Sequence, residues 1–228
     1  MELKNKVVVI TGGSGGIGRA MAKAFLAEGA KAVMLADLNE AAVTAAAKEI
    51  GCDGMACDVT QEAQVQALVK RTEEKYGPID LFCSNAGASG RGVLTDAANE
   101  IWQRQWDLHV MSHLYAARAV LPSMIARGSG YLLNTASAAG LLAALGSGPY
   151  SVTKAAAVKL AEFLSITPGD DGIIEPEQLA RTVVETLREE RFYVLPHPEV
   201  GEYVRRKGED VDRWLGGMRR LRRKSLGG

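Results

Sequence analysis

Tyr150 and Lys154 stand four residues apart, so on a helix they share one face. A phenol titrates at about 10, too high for easy proton exchange at neutral pH. A lysine ammonium close by favours the phenolate and lowers that value. Such a pair can act as general acid to a ketone or as general base to an alcohol. Spacing alone favours a plainer reading, with Tyr150 an ordinary amphipathic-helix residue and Lys154 a surface lysine whose stem lies along apolar surface.

A second constellation is the turn Thr11-Gly12-Gly13-Ser14-Gly15-Gly16-Ile17-Gly18. Glycines let the backbone approach a pyrophosphate, and free N–H groups at a helix start attract its charge. Gly12, Ser14, Gly16, Ile17 and Gly18 are thus the expected cofactor-binding positions of this turn. Asp37 follows Gly18 by 19 residues, where an acid accepts hydrogen bonds from an adenosine ribose. A carboxylate there repels a 2′-phosphate, which favours NAD over NADP. Asp37 reads equally well as the N-terminal acid of the next helix. Gly12-Gly13-Ser14-Gly15-Gly16 also satisfies G-x-S-x-G, which would make Ser14 a hydrolytic nucleophile served by His197. No acid to orient His197 is identifiable, and that reading leaves Asp37 unexplained. A Walker phosphate loop fails because Arg19 stands where Lys and Ser/Thr should follow.

The elements that must position these groups alternate along the chain. Val7-Val8-Val9-Ile10 has the composition of a strand buried on both faces. Further strands are expected at 32–36, 54–57, 79–83 and 131–135. Helices are expected over 17–28, 39–50, 61–76, about 99–127 and 149–164. Strands alternating with helices of this length imply parallel βαβ units, hence an α/β fold with a doubly wound, mostly parallel sheet and helices on both faces.

The 228 residues fit one domain, and 27 basic side chains balance 27 acidic ones. Zero net charge argues against a dedicated nucleic-acid binder. No apolar run reaches the roughly 18 residues of a membrane span, and the start does not read as a signal peptide. Cys52, Cys57 and Cys83 form no C-x-x-C pair, so a reducing, cytoplasmic setting is expected. The cations Arg219, Arg220, Arg222, Arg223 and Lys224 read first as a solvated helix end.

Over about the first 165 residues the chain resembles the short-chain dehydrogenase/reductase family, whose fold is Rossmann-like. The turn Thr11–Gly18 is similar to the family's T-G-x-x-x-G-x-G. Asp58-Val59 resembles its adenine-contacting pair, and Asn85-Ala86-Gly87 its N-A-G motif, which supports the sheet beside the cofactor. Ser137, Tyr150 and Lys154 match its Ser and Y-x-x-x-K signature. The resemblance implies an NAD(H)-dependent oxidoreductase interconverting a secondary alcohol and a ketone, with Tyr150 exchanging the proton while hydride passes to or from the nicotinamide. Ser137 would hold the same substrate oxygen, and Lys154 would also bind the nicotinamide ribose. A homotetramer or homodimer built on the long helix and the Tyr150 helix is implied as well.

The chain departs from this pattern in two places. In Trp106-Asp107-Leu108-His109-Val110, His109 takes the place of the family's fourth catalytic residue, an asparagine whose backbone carbonyl holds a relay water. His109 and His113 have the spacing of a metal pair, but Val110 stands where H-E-x-x-H needs glutamate and no third ligand is visible, so no metal is expected. After Leu164 the family continues into a sixth strand and a substrate-covering loop, whereas here 165–172 runs almost directly into Pro176-Glu177-Gln178. The expectation is one domain over 1–228 lacking a segment near 166–174, then a final strand at 191–195 and a helix over about 199–223. A genuine deletion there would leave a dinucleotide-binding scaffold with impaired catalysis. The run Leu141–Leu145 reads as lining an apolar part of the substrate pocket, and equally well as packing.

Overall fold

A computed structural model describes residues 1–220 apart from 91, 93, 94, 143, 165–175, 192, 193, 195–197, 211, 212, 215, 218 and 219. Five strands form one parallel sheet: β1 (Val7–Thr11), β2 (Ala32–Asp37), β3 (Asp53–Ala56), β4 (Leu81–Ser84) and β5 (Tyr131–Asn134). Their order is β3-β2-β1-β4-β5, with Val9 beside Met34 on one side and Phe82 on the other. The order reverses between β1 and β4, and in such sheets the ligand crevice opens at the carboxyl ends of the strands flanking that point.

The unbroken apolar strands follow from burial on both faces, and alternate residues divide between two layers. Val8 and Ile10 of β1, Val33 and Leu35 of β2, and Leu81 and Cys83 of β4 pack beneath α1 (Gly16–Ala27) and α2 (Glu40–Ile50). Val7, Val9, Met34 and Phe82 face the opposite layer, built from α3 (Glu62–Tyr76) and the helix over Ser112–Arg127. The site's supports are therefore rigid: the core side chains of β1 are at most 3 % exposed.

The helix expected over 99–127 is broken into three pieces. α4 (Asn99–Trp106) gives way to a π-helical stretch, Asp107–Met111, before α5 (Ser112–Arg127) resumes. A π turn admits one extra residue and is rare outside functional sites. Here Ser112 Oγ donates to the Leu108 carbonyl at 2.6 Å, satisfying an oxygen in the widened turn. A short helix, α6 (Ala138–Leu142), precedes α7 (Gly148–Leu164). Among the described residues of the 141–145 run, none lines the crevice described below. A Cβ on Gly140 would meet the Lys154 backbone at 2.6 Å, so α6 packs directly on α7.

The segment expected to be missing, 166–174, lies outside the described residues. Beyond it, α8 (Pro176–Glu189) lays Leu179, Val183 and Leu187 into the core beside Met21 and Phe25 of α1. Arg191 and Val194, the two described residues of the expected final strand, belong to no strand. Parallel pairing there would need a neighbour beyond β5 to carry the ladder. α9 spans Pro198–Glu209 and ends at Asp210, whose Oδ1 accepts the Arg213 N–H at 2.8 Å and starts a new turn.

The α8 packing is testable. Leu187 is 2 % exposed, so Leu187→Ala should lower the free energy of unfolding by about 2–5 kcal/mol. A urea midpoint equal to that of the unchanged chain would show that α8 does not seal this core.

Candidate active site

The crevice at the carboxyl edge of the sheet has a volume of about 850 Å³. Gly12, Ser14, Gly16, Ile17 and Gly18 line one end, with Asp37, Asp58 and Val59 beside them. Asn85, Ala86 and Gly87 form its floor, and Ser137, Tyr150 and Lys154 stand at the other end. Sequence positions spread over 143 residues of chain thus meet in one cleft. His109 alone among the expected site residues is absent from the lining.

Glycine is required in the turn for two steric reasons. Gly12 has φ +65°, and a Cβ there would lie 2.9 Å from the Ala86 Cα. A Cβ on Gly18 would lie 2.3 Å from the Gly12 carbonyl oxygen. The bare backbone leaves a cradle at the N-terminus of α1, where N–H groups face the cleft and favour an anion. The donor chemistry and the cleared space both fit the pyrophosphate of a dinucleotide.

Asp37 turns toward this cradle. Its Oδ2 accepts the Ser14 N–H at 3.0 Å and the Ser14 hydroxyl at 2.6 Å. The alternative role at the start of α2 falls instead to Asn39, whose side chain accepts the Ala42 N–H. Ser14, with its hydroxyl given to a carboxylate, lacks the imidazole partner of a hydrolytic nucleophile among the described residues, and His197 lies outside them. Asp58 is fixed by Thr60, whose N–H and hydroxyl donate to Oδ1 at 2.9 and 2.7 Å. Val59 is buried beside it at 7 % exposure.

Two threonines hold the floor together: Thr11, which opens the glycine motif, and Thr135, which no motif includes. Thr11 Oγ1, at the end of β1, donates to the Cys83 carbonyl and accepts the N–H groups of Asn85 and Ala86 at 2.9 and 3.0 Å. Asn85 Nδ2 donates to the Thr11 carbonyl, and its Oδ1 accepts from the Thr135 hydroxyl at 3.1 Å. The ends of β1, β4 and β5 are thereby clasped. A threonine ending a strand is too common to carry a signal by itself.

Lys154 is only 3 % exposed, and its Nζ donates to the Thr135 carbonyl at 2.7 Å. Burial pushes its ammonium down to about 8. The Nζ lies 5.8 Å from the centroid of the Tyr150 ring. The Tyr150 hydroxyl, half-buried at the mouth, makes no hydrogen bond among the described residues. Ser137 Oγ accepts the Ala139 N–H at 3.2 Å and keeps its own proton to donate. His109 sits behind Tyr150, fully buried, with the rings edge-on at 5.3 Å and 87°. Burial, and secondly the Lys154 charge, push both His109 and His113 down to about 3. Among the described residues no group of His, Cys, Asp or Glu could hold a metal ion.

The short chain dehydrogenase family model matches residues 6–186. The chain belongs to the short-chain dehydrogenase/reductase family. An uncharacterized oxidoreductase of Staphylococcus saprophyticus is 35% identical over 170 residues, covering 72% of each chain. Galactitol 2-dehydrogenase of Agrobacterium fabrum is 35% identical over 176 residues, 76% of this chain and 68% of that protein. A short-chain dehydrogenase/reductase from Burkholderia phymatum, solved in complex with NAD, superposes with TM-score 0.87 at 27% identity, covering 93% of this chain and 96% of that one. The protein is thus an oxidoreductase of this family with a crevice for a nicotinamide dinucleotide. Among its described residues no helix is long and apolar enough to cross a membrane.

Two outcomes follow for the short-chain dehydrogenase site. Gly18→Ala should weaken NADH binding at least about tenfold, or 1.4 kcal/mol, in a fluorescence titration; unchanged affinity would mean that the turn does not cradle the cofactor. The buried imidazoles, charged when unfolded below about pH 6.5 but neutral when folded, contribute stability that is full above that value and lost as pH falls toward 3. His113→Phe should therefore flatten the acid limb of the unfolding free energy by up to about 1.4 kcal/mol per pH unit. An identical limb would contradict a neutral buried His113.

Proposed function

We propose that this oxidoreductase interconverts a secondary alcohol and a ketone with NAD(H), using Tyr150 as general acid and base. The observation that carries this reading is one crevice shared by the glycine turn, the Asn85-Ala86-Gly87 floor and the Ser137, Tyr150 and Lys154 side chains. The bound nicotinamide supplies the hydride donor or acceptor. Tyr150, its hydroxyl uncommitted, gives a proton to the carbonyl oxygen in reduction and takes it from the alcohol in oxidation. Ser137 donates to the same oxygen and fixes its distance from Tyr150. Lys154, held by Thr135, stabilises negative charge on the phenol oxygen and keeps two N–H bonds for the nicotinamide ribose.

Asp37 favours NAD. One of its oxygens is held by Ser14, and the other makes no bond among the described residues, leaving it to accept from an adenosine ribose and to repel a 2′-phosphate. Asp58 and Val59 border the adenine. A name among the relatives, galactitol 2-dehydrogenase, makes sugar alcohols the first substrate class to test. A homodimer or homotetramer through the α4–α5 and α7 faces is supported by exposed apolar side chains there: Trp106 at 41 %, Ile125 at 74 % and Val152 at 50 %. The setting is cytoplasmic, as the unpaired thiols Cys52, Cys57 and Cys83 support.

Tyr150→Phe should lower kcat for NAD reduction by about 10²-fold or more and leave NADH binding within reach of the unchanged chain. Turnover that survives Tyr150→Phe would remove the phenol from the mechanism. Asp37→Ala should raise the NADP-to-NAD ratio of kcat/KM about tenfold; a fixed ratio would overturn the coenzyme assignment.

A further inference from the structure

His109, like His113 and Cys83, is a buried titratable group that the reaction above leaves unused, and its neighbours favour one form of its ring. Thr153 Oγ1 has a single proton, and its donor contacts are the Pro149 carbonyl at 2.8 Å and the Tyr150 carbonyl at 3.2 Å. With that proton on a carbonyl, the hydroxyl is free to accept at its 3.0 Å contact with His109 Nδ1. At the far side of the ring, the Ala88 N–H can only donate, and it meets Nε2 at 3.4 Å. Nε2 is the unprotonated nitrogen. In the neutral ring Nδ1 then carries the proton, and Thr153 Oγ1 is placed to accept it.

Burial and the neighbouring charge oppose a second proton, and the Ala88 backbone only partly offsets them. From α7 the Lys154 ammonium and the Tyr150 ring face His109, and from α5 the His113 imidazole does. From the segment after β4, the Ala88 N–H occupies the only free lone pair. The π-helical stretch turns the ring inward, and Gly87 leaves room for it: a Cβ there would lie 3.4 Å from Nε2.

We propose that His109 is a positioning residue, a permanently neutral strut that ties the Ala88 backbone to the first turn of α7 and thereby sets the Tyr150 ring, without exchanging protons in the reaction. The proposal rests on Tyr150 being the acid–base group. Its structural half stands without that reading, because the tautomer is a property of the protein alone.

Nitrogen NMR of the full chain with isotope-labelled histidine, with and without Thr153→Val, separates the two halves. The unchanged chain should show a protonated Nδ1 and a bare Nε2 for His109, constant between about pH 5 and 8, where a free imidazole titrates. Thr153→Val should alter that pattern, and Thr153→Ser should restore it. In steady-state assays with NAD and a secondary alcohol, Thr153→Val and His109→Phe should lower kcat about tenfold or more and leave the KM for NAD within about twofold. A protonated Nε2, or titration within that range, overturns the strut. An altered tautomer in Thr153→Val with full kcat overturns its role in setting Tyr150. A chain with the expected tautomer but no NAD-linked turnover would count against the proposed reaction instead.

Discussion

An ammonium group almost out of water has to be held by something, and here a single backbone carbonyl holds it. Lys154 reaches the Thr135 oxygen just past β5, so the placement of α7 is tied to the end of that strand. The same Thr135 bonds through its hydroxyl to Asn85, and Asn85 bonds back to Thr11. A continuous polar line thus runs from the reactive end of the crevice to the strand that feeds the glycine turn. In low dielectric such links strengthen one another, and they replace the solvation that the buried lysine has lost. The sheet beneath contributes stiffness, since its strands are apolar on both faces.

The cost of this arrangement shows in the polar atoms nearest to it. Among the described residues no protein group meets either ring nitrogen of His113, Gln105 Oε1 or Asn134 Nδ2. A buried polar group left wholly without a partner costs on the order of 1–3 kcal/mol. Gln105 lines the crevice, Asn134 ends β5 and His113 follows the π-helical stretch. Thr186 on α8 is the one comparable group among the described residues that lies away from this region. Local departures from full satisfaction gather where a protein works rather than where it only folds.

Much of the cleft is legible in the sequence because its chemistry demands residue types at short spacing. Bare glycines mark the turn, an acid ends β2, and a tyrosine and lysine share one helical face. The clasp is not legible: Thr11 and Thr135 act through partners 74 and 50 residues distant, and a lone threonine announces none of them. The π-helical stretch escapes as well, because one extra residue in a turn barely disturbs a 3.6-residue hydrophobic period. Hence the hydrophobic pattern predicts a single long helix, and it does not foretell that the His109 ring lies behind Tyr150. Asp37 allowed two roles until Asn39 was seen to cap α2. Of the 141–145 run, Leu141 and Leu142 end α6 and Leu145 is 45 % exposed.

The most direct test of the account is a crystal structure of the chain with NADH bound. The account predicts the pyrophosphate at the N-terminus of α1 over Gly12–Gly18, a ribose hydroxyl on Asp37, and the nicotinamide ribose on Lys154 with the ring beside Tyr150. Coenzyme bound elsewhere, or a crevice left empty at saturating NADH, would contradict it.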